Sequence, residues 1–162
     1  MEIERKFLVE SVPNLEEFKK QEIVQGYISF APEIRIRKED NNFSLTSKGD
    51  GHLTREERET QISKDIYEIL FPLIRGNLIE KTRCLVPLPN NTGQLDIYHG
   101  KLNGLITIEV EFATEEQATK FDIPPWFDKE VTYDKRYKNK NLAQFVSLNF
   151  LTNKEVKLAK TK

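Results

Sequence analysis

Like charges recur two residues apart at several places in this chain. Basic pairs are formed by Arg35 with Arg37 and by Lys81 with Arg83, and acidic pairs by Glu2 with Glu4 and by Glu109 with Glu111. In a β-strand, residues i and i+2 point to the same face, about 6.6 Å apart. Two like charges at that distance repel by roughly 2–3 kcal/mol at an effective dielectric constant near 20. Acidic pairs on some strands and basic pairs on others therefore predict a charged inner surface that binds an anion and a metal ion together.

The length and charge of the chain limit the number of domains and the class of protein that could carry such a surface. At 162 residues, we expect a single domain over 1–162 that is large enough to bury a core. Charged residues make up 31% of the chain, above the usual quarter, which suits a fold with charge inside as well as outside. The net charge of −1 argues against a strongly basic nucleic-acid-binding protein, but not against a local cationic pocket.

The few cysteine and histidine residues narrow the possible metal chemistry. Cys84 is the one cysteine, so an intrachain disulfide and a thiolate metal cage are excluded. His52 and His99 are isolated, which argues against a histidine-rich zinc site. No apolar run is long enough to span a membrane, and the charged N-terminus lacks a signal-peptide pattern. We therefore expect a cytoplasmic protein with no membrane partner.

Alternation of apolar and polar residues predicts eight strands with short helices between them. The predicted strands cover residues 2–9, 22–30, 33–39, 42–48, 53–62, 77–88, 94–99 and 105–113. Helical periodicity predicts a helix over 63–74 with Ser63 as its N-cap, a second that begins with a capping box at Thr114, and a third over 139–150. The lysine-rich tail over 153–162 is interpreted as a flexible or capping end.

These elements predict an α+β fold with an antiparallel sheet. The apolar residues of the strands share one face and the charged pairs share the other. In a β-sandwich the charged face would meet solvent, whereas in a closed barrel it would line the interior. Periodicity leaves both architectures open, and the solvent accessibility of Arg35 and Glu109 would separate them.

The charged residues have the chemistry of a triphosphate site. Candidate phosphate ligands are Arg35, Arg37, Lys48, Arg55, Lys81 and Arg83. Carboxylates beside them would repel phosphate unless a hard divalent cation such as Mg²⁺ bridged the two. Candidate metal ligands are Glu2, Glu4, Asp96, Glu109 and Glu111, and Glu57 and Glu59 are candidates for a second metal or for orienting water. Any one pair is more often a solvated strand face, so the prediction rests on the agreement in parity across strands.

The order of the motifs along the chain resembles that of the CYTH superfamily, the triphosphate tunnel metalloenzymes, and most closely its short stand-alone bacterial members. The N-terminal Glu2-x-Glu4-x-Lys6 is weak evidence alone, but the ordered set is specific. The set continues with Gln25-Gly26-Tyr27, Ile34–Arg37, Leu45–Lys48, Glu80–Arg83, Leu95-Asp96, Ile108–Phe112, Glu130–Thr132 and Asp134–Tyr137.

This resemblance implies a closed eight-stranded antiparallel barrel that forms a tunnel with a charged lumen. It implies Mg²⁺- or Mn²⁺-dependent hydrolysis of a triphosphate, with inorganic triphosphate cleaved to pyrophosphate and phosphate. Lys6 and Tyr27 match a catalytic pair. The phosphate ligands implied are Lys6, Arg35, Arg37, Lys48, Lys81, Arg83, Lys135 and Arg136, and the implied metal ligands are Glu2, Glu4, Asp96, Glu109 and Glu111.

Other functions stay open at the level of sequence. The resemblance extends to thiamine triphosphatases and class IV adenylate cyclases, and a non-catalytic polyphosphate-binding module is an alternative of a different class. In each case the expected partner is a triphosphate-containing small molecule and not a nucleic acid. The oligomeric state is open, and a homodimer is compatible with the sequence.

Overall fold

Nine antiparallel strands form one sheet in residues 3–49 and 56–144, the part of the chain that the computed structural model describes. The strands are β1 (Ile3–Val9), β2 (Lys20–Phe30), β3 (Glu33–Glu39), β4 (Asn42–Lys48), β5 (Glu57–Gln61), β6 (Arg75–Pro87), β7 (Thr92–Tyr98), β8 (Ile106–Phe112) and β9 (Phe127–Glu130). Their order across the sheet is β5-β4-β3-β2-β6-β7-β8-β1-β9. The predicted α+β class and antiparallel sheet are confirmed, and each of the eight predicted strands has a counterpart.

The ninth strand is absent from the sequence prediction. β9 has four residues and pairs with β1 at the edge of the sheet, where Phe127 lies opposite Val9. Phe127 is buried, but the three residues after it are charged. Such a short segment shows no apolar alternation, so its strand character comes from pairing with β1 and not from its own pattern.

The sheet curves around a cavity, although hydrogen bonds do not close it. Strands β5 and β9 are its two edges, and no ladder joins them within the described residues. The first eight strands along the chain, β1 to β8, nevertheless all contribute side chains to the lining of one cavity. The closed barrel is therefore not confirmed, whereas a curved antiparallel sheet around a cavity is present.

The two faces of the sheet differ in chemistry as the alternation predicts. On the inner face, which lines the cavity, Lys6 lies opposite Glu109. One residue further along, Phe7 lies opposite Ile108 on the outer face. The outer face carries a buried apolar cluster of Phe7, Val9, Cys84, Val86, Leu95, Ile108, Val110 and Phe112, which is joined by Ala118 of helix α2 (Glu115–Thr119) and by Phe127.

Apolar side chains also continue the inner face beyond its charged part. Leu8, Ile79 and Tyr98 each lie two residues from a charged residue on the same strand. They pack with residues that follow β9, including Tyr137 and Leu142. Those two residues belong to a 3-10 turn (Lys135–Tyr137) and to helix α3 (Asn139–Leu142). The chain after β9 therefore fills one end of the inner space.

Two helix starts follow the predicted capping chemistry. Helix α1 (Lys64–Leu70) begins where Ser63 Oγ accepts a hydrogen bond from the Ile66 amide at 3.1 Å, and a 3-10 turn (Phe71–Leu73) completes the predicted segment. At α2, Thr114 Oγ1 accepts from the Gln117 amide at 3.1 Å. No helix in the described ranges is both long and apolar enough to cross a bilayer. The second half of the predicted 139–150 helix and the whole tail over 153–162 lie outside the described residues.

Replacing Ile108 with Ala tests the assignment of the two faces. Ile108 is fully buried on the outer face, so we expect the substitution to lower the free energy of unfolding by about 2–5 kcal/mol, measured by urea denaturation. The same substitution at Ile69, which is 72% exposed on α1, is expected to change it by no more than about 0.5 kcal/mol. Equal effects at the two positions would contradict the assignment.

Candidate active site

The inner face and the chain after β9 enclose a cavity of about 570 Å³. Its lining carries eight cationic and six acidic side chains from the described part of the chain. The cations are Lys6, Arg35, Arg37, Lys48, Arg83, Lys135, Lys138 and Lys140, and the acids are Glu4, Glu33, Glu57, Glu109, Glu111 and Asp134. Apart from the stems of these residues, few apolar groups reach the cavity, so its chemistry is mainly ionic.

Four of the cations come from strands β3, β4 and β6, and we call them the cationic wall: Arg35, Arg37, Lys48 and Arg83. Burial lowers the pKa of Arg37, and the nearby charges of Arg35 and Arg83 lower it further. The side chain of Arg35 is 16% exposed and that of Glu109 is 14% exposed. Both side chains are therefore largely removed from solvent, which excludes a sandwich with an outward charged face.

Strands β1 and β8 supply the acidic side of the cavity. Glu109 and Glu111 lie two residues apart on β8, and Glu4 lies opposite Glu111 in the register with β1. The predicted shared face of the acidic pair on β8 is therefore confirmed. Glu2 lies outside the described residues. These carboxylates are hard oxygen donors, but in the described ranges no three such side chains are grouped closely enough to hold an ion by themselves.

Lys6 lies between the acidic side and the chain after β9. Its Nζ donates a hydrogen bond to the backbone oxygen of Tyr137 at 2.7 Å and lies 3.4 Å from Glu109 Oε1. Its amide donates to Thr132 Oγ1 at 3.0 Å, and its carbonyl accepts from the Val131 amide at 2.8 Å. The Lys6 amine is thus held between the Tyr137 carbonyl and the Glu109 carboxylate.

Tyr27, the other half of the predicted pair, is buried and lines the same cavity. Its hydroxyl oxygen accepts a hydrogen bond from Gln25 Nε2 at 3.0 Å and also accepts one from the guanidinium of Arg35. Burial raises the pKa of the Tyr27 phenol, so the hydroxyl stays protonated near neutral pH. The structure thus brings Lys6 and Tyr27 to one cavity. Their side chains are hydrogen-bonded to different groups, Lys6 to the Tyr137 carbonyl and Tyr27 to Gln25 and Arg35.

A buried ion-pair network lies behind the cationic wall. Asp96 Oδ2 accepts a hydrogen bond from Lys81 Nζ at 2.8 Å, and Asp96 Oδ1 accepts one from Arg83 Nε at 2.8 Å. Burial opposes ionisation of Asp96, but the two cations outweigh it and lower the pKa of its carboxyl to about 2. Burial lowers the pKa of Lys81 to about 8 even though Asp96 favours its charged form.

This network changes what can be expected of Lys81 and Asp96. The side chains of both are 0% exposed, and neither belongs to the lining of the cavity, whereas Arg83 reaches it. To bind a metal ion, Asp96 would have to share an oxygen that Lys81 or Arg83 already contacts. Its contact in this structure is that of a counter-ion that holds Arg83 in place. Metal binding by Asp96 and phosphate binding by Lys81 stay predictions.

The remaining predicted residues divide between the cavity and its surroundings. Glu57 and Lys135 line the cavity. Glu59 accepts a hydrogen bond from Thr46 Oγ1 at 3.3 Å, and Arg136 is paired with Asp134, with Nε 2.9 Å from Oδ1. Neither Glu59 nor Arg136 is part of the lining. Arg55 lies outside the described residues.

Four charged residues of the lining, Glu33, Asp134, Lys138 and Lys140, were not predicted as site residues from the sequence. Glu33 is 5% exposed and lies 3.5 Å from Arg35 Nη1 and 3.6 Å from Lys48 Nζ. It stands two residues before Arg35, so the i, i+2 rule could have placed it on the inner face. Lys138 and Lys140 belong to a lysine-rich segment whose position over the cavity depends on tertiary packing and leaves no signal in the sequence.

The chain is similar to proteins of known activity along most of its length. It is 43% identical over 146 residues to an inorganic triphosphatase of Nitrosomonas europaea, a match that covers 88% of this chain and 96% of that protein. It is 34% identical over 153 residues to an inorganic triphosphatase of Acetivibrio thermocellus, with coverage of 92% and 97%. No protein-family model matches the chain.

Solved structures agree with the fold. A crystal structure of an inorganic triphosphatase superimposes with a TM-score of 0.76 at 40% identity, covering 91% of this chain and 97% of that one. A Hippeastrum protein with a dominant triphosphatase activity shares the fold at a TM-score of 0.54 and 17% identity, covering 74% and 83%. Fold and site together define a class of proteins that gather cations and carboxylates inside a curved antiparallel sheet. The chain belongs to the CYTH superfamily of triphosphate tunnel metalloenzymes.

Replacing Asp96 with Asn tests the counter-ion role. The substitution leaves two cations close together in a buried site, so we expect the free energy of unfolding to fall by about 3–5 kcal/mol in urea denaturation. Adding Lys81→Met removes one of these charges and should restore part of the loss. The control Glu116→Gln breaks the exposed pair with Lys120 and should cost less than about 1 kcal/mol. A loss of that small size for Asp96→Asn would refute the role.

The pH dependence of the same variant gives an independent check. The pKa of Asp96 is lower in the folded chain, about 2, than its ordinary value of 3.8, so its ionised form stabilises the fold. That stabilisation is complete above the ordinary value and is lost as the pH falls through about 2. The difference in free energy of unfolding between the wild type and Asp96→Asn should therefore narrow as the pH falls from about 5 towards 2. A difference that widens on acidification would contradict the ion pair.

Proposed function

We propose that this chain hydrolyses inorganic triphosphate to pyrophosphate and phosphate with the aid of Mg²⁺ or Mn²⁺. The observation that carries the proposal is a single cavity with the cationic wall on one side and Glu4, Glu109 and Glu111 on the other. Two relatives that match nearly the whole chain are inorganic triphosphatases, which supports the same reaction.

The cationic wall suits the phosphate chain itself. Arginine presents forked donors that match two phosphate oxygens, and lysine adds a compact charge. Within the described residues, the aromatic members of the lining are Tyr27 and Tyr137, and both also pack into the inner apolar cluster. Few flat apolar groups are thus available for a purine or a thiazole ring, which favours inorganic triphosphate over ATP or thiamine triphosphate.

The carboxylates fit a divalent cation that arrives with the substrate. Mg²⁺ is commonly held by one or two carboxylates together with substrate phosphates and water, and not by an all-protein cage. Glu109 and Glu111, with Glu4 on the neighbouring strand, would supply the protein oxygens. When bound, the ion neutralises charge on the phosphate oxygens and activates water.

Residues of this chain would orient the substrate for attack on a terminal phosphorus. Arg35, Arg37 and Arg83 hold the phosphates in line and stabilise charge that develops on their oxygens. Lys6 contacts Glu109 on the acidic side and would place its amine beside the terminal phosphate. The protonated Tyr27 hydroxyl would donate a hydrogen bond. Enclosure of the substrate in a full tunnel and location in the cytoplasm are further predictions of this proposal.

A substrate panel tests the proposed reaction. The purified chain is incubated with tripolyphosphate, thiamine triphosphate, ATP or pyrophosphate and with Mg²⁺, Mn²⁺ or a chelator, and phosphate and cyclic AMP are measured. We expect metal-dependent phosphate release that is fastest with tripolyphosphate. Faster hydrolysis of thiamine triphosphate would show that it is the substrate in place of inorganic triphosphate. Formation of cyclic AMP from ATP would show that the chain is an adenylate cyclase. Tight binding of tripolyphosphate without turnover of any substrate would instead support a polyphosphate-binding module.

Replacing Arg37 with Ala tests the cationic wall. Loss of a guanidinium that stabilises charge in the transition state should lower kcat/KM for tripolyphosphate by about 10²–10³-fold. Arg37→Lys keeps the charge but not the fork, and an intermediate loss is expected. The control Arg58→Ala removes an arginine that is 78% exposed on β5 and should leave kcat/KM unchanged. Equal activity of Arg37→Ala and the control would argue against phosphate binding at this wall.

A further inference from the structure

Gln25 is a fully buried polar residue beside the cavity to which the proposed reaction gives no role. It lies on β2 directly opposite Arg37 of β3, and Tyr27 follows two residues later opposite Arg35. The side-chain amide of Gln25 contacts both Arg37 and Tyr27. Arg37 Nε donates a hydrogen bond to Gln25 Oε1 at 2.7 Å, and Gln25 Nε2 donates one to the Tyr27 hydroxyl oxygen at 3.0 Å.

The chemistry of the three groups fixes the direction of these hydrogen bonds. A guanidinium has donors only, so the amide oxygen of Gln25 has to face Arg37. The amide nitrogen then faces Tyr27 and donates, which makes the Tyr27 oxygen the acceptor. The hydrogen of the Tyr27 hydroxyl therefore points away from Gln25. Arg35 also donates to this oxygen, so the hydrogen points away from both donors. Tyr27 lines the cavity, where a ligand could accept this hydrogen.

We propose that Gln25 is a positioning residue, which aims the Tyr27 hydroxyl hydrogen and the Arg37 guanidinium at the same phosphate group. The proposal rests on triphosphate hydrolysis as the function and adds a specific arrangement of donors to it. A buried amide is costly unless both of its ends are paired, and here both ends are paired with members of the site. A neutral linker also avoids a further charge beside Arg35, Arg37 and Arg83.

Replacing Gln25 with Glu separates the two halves of this role. The new carboxylate still accepts from Arg37, but it has no amide hydrogen to donate to Tyr27. The tyrosine hydroxyl is then expected to donate to the carboxylate, which turns its hydrogen away from the cavity. We expect kcat for tripolyphosphate to fall by about a hundredfold, because the transition state loses the Tyr27 donor, and KM to rise, because the new negative charge repels the phosphates.

A double-mutant cycle makes the test specific. Tyr27→Phe should lower kcat to a similar extent, and Gln25→Glu combined with Tyr27→Phe should lower it no further, because both changes remove the same donor. Gln25→Met removes both hydrogen bonds at similar volume, so it should raise KM as well as lower kcat. The control Gln61→Glu makes the same chemical change at an exposed position of β5, and its kcat and KM should match the wild type. Thermal melting identifies any variant that fails to fold.

Each result has a definite meaning. Wild-type kcat in folded Gln25→Glu, or losses that multiply in the double variant, would overturn the positioning role while leaving triphosphate hydrolysis intact. Absence of turnover in the wild type would instead refute the proposed function. In that case, calorimetric measurement of tripolyphosphate binding in the presence of a chelator tests whether Gln25 positions Arg37 to bind phosphate. Weaker binding to Gln25→Met than to the wild type would support it, and equal binding would overturn it.

Discussion

Repulsion between like charges on the inner face of the sheet is the constraint that the rest of the structure has to meet. Arg35 and Arg37 stand two residues apart in a largely buried site, with Arg83 close enough to act on the pKa of Arg37. Each has a partner in the protein: Glu33 lies beside Arg35, Gln25 accepts from Arg37, and Asp96 accepts from Arg83. These partners hold the cations in fixed positions before any substrate binds. A prearranged cationic surface is what stabilisation of phosphate in a transition state requires.

The outer layers of the molecule serve the same purpose. Ile108, Val110 and Phe112 alternate with the inward-facing glutamates of β8 and pack beneath α2, so burial of their side chains fixes which way the carboxylates point. The chain after β9 fills one end of the inner space and contributes Lys135, Lys138 and Lys140 to the lining of the cavity. It also supplies the Tyr137 carbonyl that binds the Lys6 ammonium.

Much of this arrangement could be predicted from residue order, because the side chains of a strand alternate with a period of two. That rule placed Arg35 with Arg37 and Glu109 with Glu111 on shared faces, and capping chemistry placed the starts of α1 and α2. Cross-strand partners could not be obtained in this way. The contact of Asp96 with Lys81 and Arg83 depends on the register of β6 with β7, which no local pattern encodes. The strand character of β9 and the position of Lys138 likewise depend on tertiary contacts.

The most direct test of this site is a crystal structure of the chain with a divalent cation and tripolyphosphate, or a non-hydrolysable analogue of it if the chain cleaves tripolyphosphate. The predicted result is a phosphate chain inside the curved sheet, with Arg35, Arg37 and Arg83 on its oxygens and the cation on its acidic side. Tripolyphosphate bound only at the outer surface, with the inner cavity empty, would contradict the claim that the inward charges form the active site.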